Sequence, residues 1–119
     1  MTVKEFTEST REIACSPGMD PNSGAWDGYG LCCIGARLAY HFDVATGYIE
    51  DFQLGACHAA EALGGNVGHL IVLLRNAGAG FNPFSYHDWP TPVEEVWDNL
   101  AKFEDLPSLR GENFAGYEL

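Results

Sequence analysis

Val67-Gly68-His69-Leu70-Ile71-Val72-Leu73-Leu74-Arg75-Asn76 is the stretch on which the fold class turns. Its continuous apolar run, Leu70 to Leu74, reads in two ways. It fits a buried helix capped by Asn66 and ended by Gly78, and it fits a buried strand flanked by glycines. Periodicity alone does not separate the two for a short apolar run. Two considerations favour the helix. The neighbouring segments carry helical periodicity, and a strand with no partner leaves its backbone donors and acceptors unpaired.

Before this stretch, Ile49, Phe52, Ala56, Ala59, Ala60 and Leu63 fall in helical register, predicting a helix from about residue 49 to 63. Another is predicted over about 31–42, with Leu31, Ile34, Leu38 and Phe42 on one face. Small residues dominate both, with Cys32, Gly35, Ala36 and Ala39 on the earlier helix. Small faces let backbones approach closely, so these two helices are expected to pack directly on each other. That would explain Gly35 inside a helix, where glycine costs up to about 1 kcal/mol relative to alanine.

The chain opens on Thr2 followed by Glu5, the spacing of a capping box. Val3, Phe6, Thr10, Ile13 and Ala14 then recur at helical spacing until Ser16-Pro17-Gly18. After Asn76 the last helix is expected from Thr91-Pro92-Val93-Glu94, with Thr91 as N-cap and Glu94 completing a capping box. Its core face is Val93, Val96, Trp97, Leu100 and Phe103. Two long loops separate these elements, Pro17 to Gly30 and Gly78 to Pro90, both rich in glycine, proline and aromatics. From Asp105 the chain reads as an extended tail, residues 105–119, that straps onto the body through Leu106, Leu109, Phe114 and Tyr117. The expectation is therefore an all-α, compact single domain over residues 1–119, with four to five helices and two long aromatic-rich loops.

The 119 residues include 17 acidic and 6 basic side chains, a formal charge of -11, with 46% hydrophobic and 13% aromatic residues. That composition supports a real core. A sequence pI near 4.4 excludes direct nucleic-acid or anionic-membrane binding by phosphate neutralisation. No basic region followed by an apolar run suggests a secretory signal, and no stretch approaches the ~20 apolar residues of a membrane span. The expected location is cytoplasmic, with Cys15, Cys32, Cys33 and Cys57 as reduced, buried thiols.

The segment Gly30-Leu31-Cys32-Cys33-Ile34-Gly35-Ala36-Arg37-Leu38-Ala39, preceded by Trp26 and followed by Leu73-Leu74-Arg75-Asn76-Ala77, resembles a pattern in short, functionally unassigned proteins of actinobacteria and their phages. The resemblance spans about residues 26–78. It implies a small helical domain and brings no assigned activity.

Several constellations suggest chemistry. Cys32 or Cys33, delivered by a glycine-rich loop to a helix start, sits where a thiolate is stabilised. The arrangement is similar to the nucleophile helix of papain-like and cell-wall-peptidase-like cysteine hydrolases. That resemblance implies a cysteine-dependent hydrolase or acyltransferase with His69 as base and backbone amides near residues 32 and 33 as oxyanion hole. The sheet that carries the histidine in those families is missing here, and no third polar residue clearly orients His69. Buried structural cysteines are the plainer reading. The cysteines and histidines lack the Cys-x2-Cys or His-x3-His spacing that chelates zinc, so no metal and no cofactor are expected. Glu50-Asp51, Glu94-Glu95 and Glu104-Asp105 read as solvated helix faces and helix starts. Arg37 and Arg75, in apolar helical stretches, either anchor a carboxylate or snorkel outward.

Trp26, Tyr29, Phe84, Tyr86 and Trp89 are aromatics in loops. Exposed, they suit the hot spots of a protein interface; folded over the helices, they extend the core. Residues 88–119 hold eight acids against Lys102 and Arg110, the densest acidic surplus in the chain. Together these features suggest a non-enzymatic acidic module that binds a basic protein partner. In one version it is phage-encoded and acts on a basic host protein.

Overall fold

The computed structural model describes residues 1–16, 34–48, 50–80, 83 and 89–107. All regular secondary structure among these residues is helical: α1 (Val3–Cys15), α2 (Ile34–His41), α3 (Asp51–Ala62), α4 (Val67–Asn76) and α5 (Val93–Leu100). The deciding stretch is thus a helix over the residues the sequence marks. Asn66 adopts extended backbone as its N-cap and accepts from the His69 amide at 3.0 Å. Leu70, Ile71, Val72, Leu73 and Leu74 are all buried, because this helix is surrounded rather than half-exposed.

The ends of three helices are closed by one local device. After α4, Gly78 takes φ 109, the Ala79 amide reaches the Leu74 carbonyl and the Gly78 amide the Arg75 carbonyl. That pair of bonds is a Schellman motif, which requires a left-handed residue and so favours glycine. Gly64 does the same after α3, and Asp43 after α2, at φ 59. At the other end of the chain, the Thr2–Glu5 capping box of α1 forms in both directions. The carboxyl of Glu5 is held below its ordinary value, first by its bond from the Thr2 amide and then by the Thr2 hydroxyl.

α5 departs from expectation. Its N-cap is Pro92, not Thr91, and no side chain caps it. Pro92 keeps an extended ψ of 148, so the helix starts one residue later and Glu94 falls at the second helical position, where the reciprocal box no longer closes. Thr91 instead lies against Gly78, its Oγ1 3.0 Å from where a β-carbon would stand.

α2 and α3 pack backbone on backbone. A β-carbon on Gly55 would overlap the Gly35 carbonyl oxygen and lie 2.6 Å from the Ala39 nitrogen. One on Gly35 would lie 2.7 Å from the Phe52 Cα. No larger residue fits either place without separating the helices. The shared core is built from Val3, Phe6, Ile34, Leu38, Leu70, Leu73, Leu74, Val96, Trp97 and Leu100, drawn from α1, α2, α4 and α5, with Ala56, Ala59 and Ala60 of α3. Burying each large apolar side chain of this set contributes about 1.5–3 kcal/mol. Trp97 is fully buried and its indole N–H donates to Thr10 Oγ1 at 3.1 Å, which joins α5 to α1. Asn99 Nδ2 donates to the Ala77 carbonyl at 2.9 Å, joining α5 to the end of α4.

Candidate functional site

His69 is the described member of the suggested cysteine–histidine pair. It is the third residue of α4, and its Nδ1 accepts from the Asn66 amide at 3.0 Å. One ring nitrogen is therefore engaged in the helix cap. His69 lies beside Gly65, in the turn after α3, whereas Gly35 at the start of α2 packs on Phe52 and Gly55 at the start of α3. Gly55 and Leu63 are separated by about 12 Å of helix at 1.5 Å per residue. Cys32 and Cys33 lie outside the described residues, as do Trp26, Tyr29, Phe84 and Tyr86.

Trp89 is half-buried, packs against the core and stacks on Trp97 with ring centroids 6.4 Å apart. Leu106, the start of the expected tail, also packs against the core; residues 108–119 are outside the described set.

Cys15 and Cys57 are unbridged. Cys57 is exposed, contrary to the expectation of a buried thiol, because it stands one residue from Ala56 and so about 100° away from the core face of α3. Cys15 is half-buried. Burial first, and then the charge of Glu94, push its thiol above the ordinary value, so it stays protonated near neutrality. Among the described residues, no three His, Cys, Asp or Glu side chains converge as a metal site. Nor does any described helix have the length and apolarity to cross a membrane.

Two polar side chains have structural duties that their sequence context hid. Arg37 is 2% exposed, so it does not snorkel outward. Its Nη1 donates to the carbonyls of Ile13, Ala14 and Ser16 at 2.9, 2.9 and 2.7 Å, closing the C-terminus of α1. A cation there also complements the helix dipole. Asp51, read as solvated, is buried at the start of α3. Its carboxylate accepts from the Thr46 amide and hydroxyl and from the Gly47 amide at 2.6–2.8 Å. Thr46-Gly47 ahead of an acidic helix start is the signal that could have identified it.

What remains on the outside is predominantly acidic. Glu5, Glu8 and Glu12 are exposed on α1 and fall within an arc of roughly 60° at 100° per residue. Glu94, Glu95 and Asp98 are exposed on α5, which packs beside α1. The two sets adjoin: Asp98 Oδ1 meets Arg11 Nη1 at 3.0 Å, and the charges of Glu94 and Asp98 both act on Cys15. Of the bases, Arg37 is buried, Arg11 is engaged with Asp98 and Lys102 Nζ donates to Asn99 Oδ1 at 3.3 Å, while Lys4 is exposed on α1 one turn before Glu8.

Around the edge of this face, between the C-terminal half of α1 and the end of α2, lies an open groove of about 360 Å³ lined by Ser9, Glu12, Ile13, Ser16, Tyr40 and His41. Tyr40 is 56% exposed there. Searches against protein-family models, curated proteins and solved structures each found no match to the chain.

Proposed function

We propose that the protein is a non-enzymatic binding module whose acidic face engages a basic surface on another protein. The observation that carries this reading is the exposed carboxylate set of Glu5, Glu8, Glu12, Glu94, Glu95 and Asp98 on two adjacent helices. It belongs to a chain whose bases are few and in part consumed by the fold. Such a face steers a positively charged partner toward it and repels nucleic acid and anionic lipid. Its resemblance to short actinobacterial and phage proteins suggests a bacterial host protein as the partner. The resulting site is cytoplasmic, and partner binding needs no metal or cofactor.

His69 supports this over the cysteine-hydrolase alternative, because its Nδ1 holds the α4 cap rather than an open catalytic position. Trp89 stacks on Trp97. With Trp26, Tyr29, Phe84 and Tyr86 it would supply the apolar contacts that charge alone lacks.

The test is capture from bacterial extract at about 50 mM and 150 mM salt, comparing the native chain with a triple variant, Glu8→Gln, Glu94→Gln and Glu95→Gln. The proposal expects a basic protein retained at the lower salt, reduced at the higher, and lost from the variant. Capture of no protein, or equal capture by the variant, would contradict it.

A further inference from the structure

The groove between α1 and α2 is suited to one kind of group. Glu12 is exposed on its α1 wall and, among the described residues, no base bonds to it; its neighbour Arg11 turns away to Asp98. Tyr40 offers an aromatic ring on the opposite wall, and Ile13 gives an apolar, half-buried floor. The α1 wall also ends in carbonyls, the negative end of that helix, although Arg37 already occupies those of Ile13, Ala14 and Ser16 from inside the fold. Arg37 keeps its positive charge beneath that wall, and Glu12 is the carboxylate among the described residues that line the groove. At about 360 Å³, the space is at the small end of ligand pockets and takes a side chain rather than a large molecule.

A carboxylate, an aromatic face and an apolar floor together match a guanidinium on an aliphatic stem. Its planar fork pairs with a carboxylate, its face stacks on an aromatic ring, and its methylenes cover apolar surface. We infer that this groove receives an arginine side chain of the basic partner, with Glu12 as counter-charge and Tyr40 as stacking platform. The inference rests on the binding-module reading and adds to it a point of engagement at the Glu12 edge of the acidic face, which the Glu8, Glu94 and Glu95 substitutions leave intact.

The experiment uses the full chain in two arms. In the first, N-acetyl-arginine amide is titrated while backbone and side-chain NMR shifts are followed, with the uncharged N-acetyl-citrulline amide as control. Saturable shifts at Ser9, Glu12, Ile13, Tyr40 and His41 are expected with arginine and not with citrulline. They should weaken roughly 3- to 30-fold in a Glu12→Gln, Tyr40→Ala double variant, the combined size of an exposed ion pair and a cation–π contact. Both residues are exposed, and an unchanged melting temperature confirms that the variant folds. Non-saturating shifts spread over the carboxylates of α1 and α5, or shifts that persist in the double variant, would overturn the groove. In the second arm, partner capture by a Tyr40→Ala single variant, which keeps every carboxylate of the acidic face, is compared with that by the native chain. Undiminished capture overturns the groove and leaves the acidic face standing. Groove binding of the amide with no protein captured by the native chain overturns the binding-module reading and leaves the groove.

Discussion

At the scale of single residues, the most informative side chains are those whose roles were hidden by their type. Asp51 looks in sequence like half of a solvated acidic pair, and Arg37 like an interface anchor. Both are absorbed by the backbone: Asp51 pins the turn at Thr46-Gly47, and Arg37 closes α1. Their roles depend on contacts five and more than twenty positions away, which neither composition nor helical period encodes. Burial alone would raise the pKa of Asp51, but the bonds from the Thr46 hydroxyl and the Thr46 and Gly47 amides outweigh it and hold it below 3.8. The stability this contributes is complete above the unfolded value near 3.8 and is lost as the pH falls through the lower folded value. Asp51→Asn should therefore cost about 1–3 kcal/mol at pH 6, with the gap to the native protein closing below about pH 4; urea melts across that range check it. Thr10→Val leaves the buried Trp97 indole N–H without its acceptor at nearly constant volume, and a loss of about 1–3 kcal/mol in the same melts is expected.

Helices were legible where the sequence carried their stop and start signals. Asn66 and Gly78 bracket α4, and Thr2 with Glu5 opens α1, because caps are local chemistry and survive any tertiary context. Thr91 misled for an equally local reason: a proline fits either the cap or the first helical position, so sequence alone does not place the first turn. The α2–α3 seam was legible as a pair of small-residue faces, but its tightest point was not. Gly55 sits among other small residues, and only the structure shows the Gly35 carbonyl occupying the place of its missing side chain. Gly55→Ala, a stabilising exchange in an ordinary helix interior, should instead destabilise by about 1–3 kcal/mol, as in overpacked cores. Thermal unfolding of that variant beside Gly47→Ser, which has open space at a positive φ, separates packing from backbone strain: the Gly55 variant should lose more.

For the molecule as a whole, the all-helical architecture followed from periodicity, whereas the candidate surface emerged only from knowing which charges the fold consumes. The formal charge of -11 counts Arg37 as though it faced solvent, yet it is buried against α1. The acids cluster because α1 and α5, at opposite ends of the described chain, pack side by side, a juxtaposition that no local pattern contains. The most direct measurement of the binding claim is the affinity of the purified chain for its captured basic partner as a function of salt, by calorimetric titration. Affinity should weaken as salt rises from about 50 to 200 mM, with a shallower dependence and an affinity at least about 10-fold lower for Glu8→Gln, Glu94→Gln, Glu95→Gln. Affinity independent of salt and unchanged in that variant would contradict the binding claim.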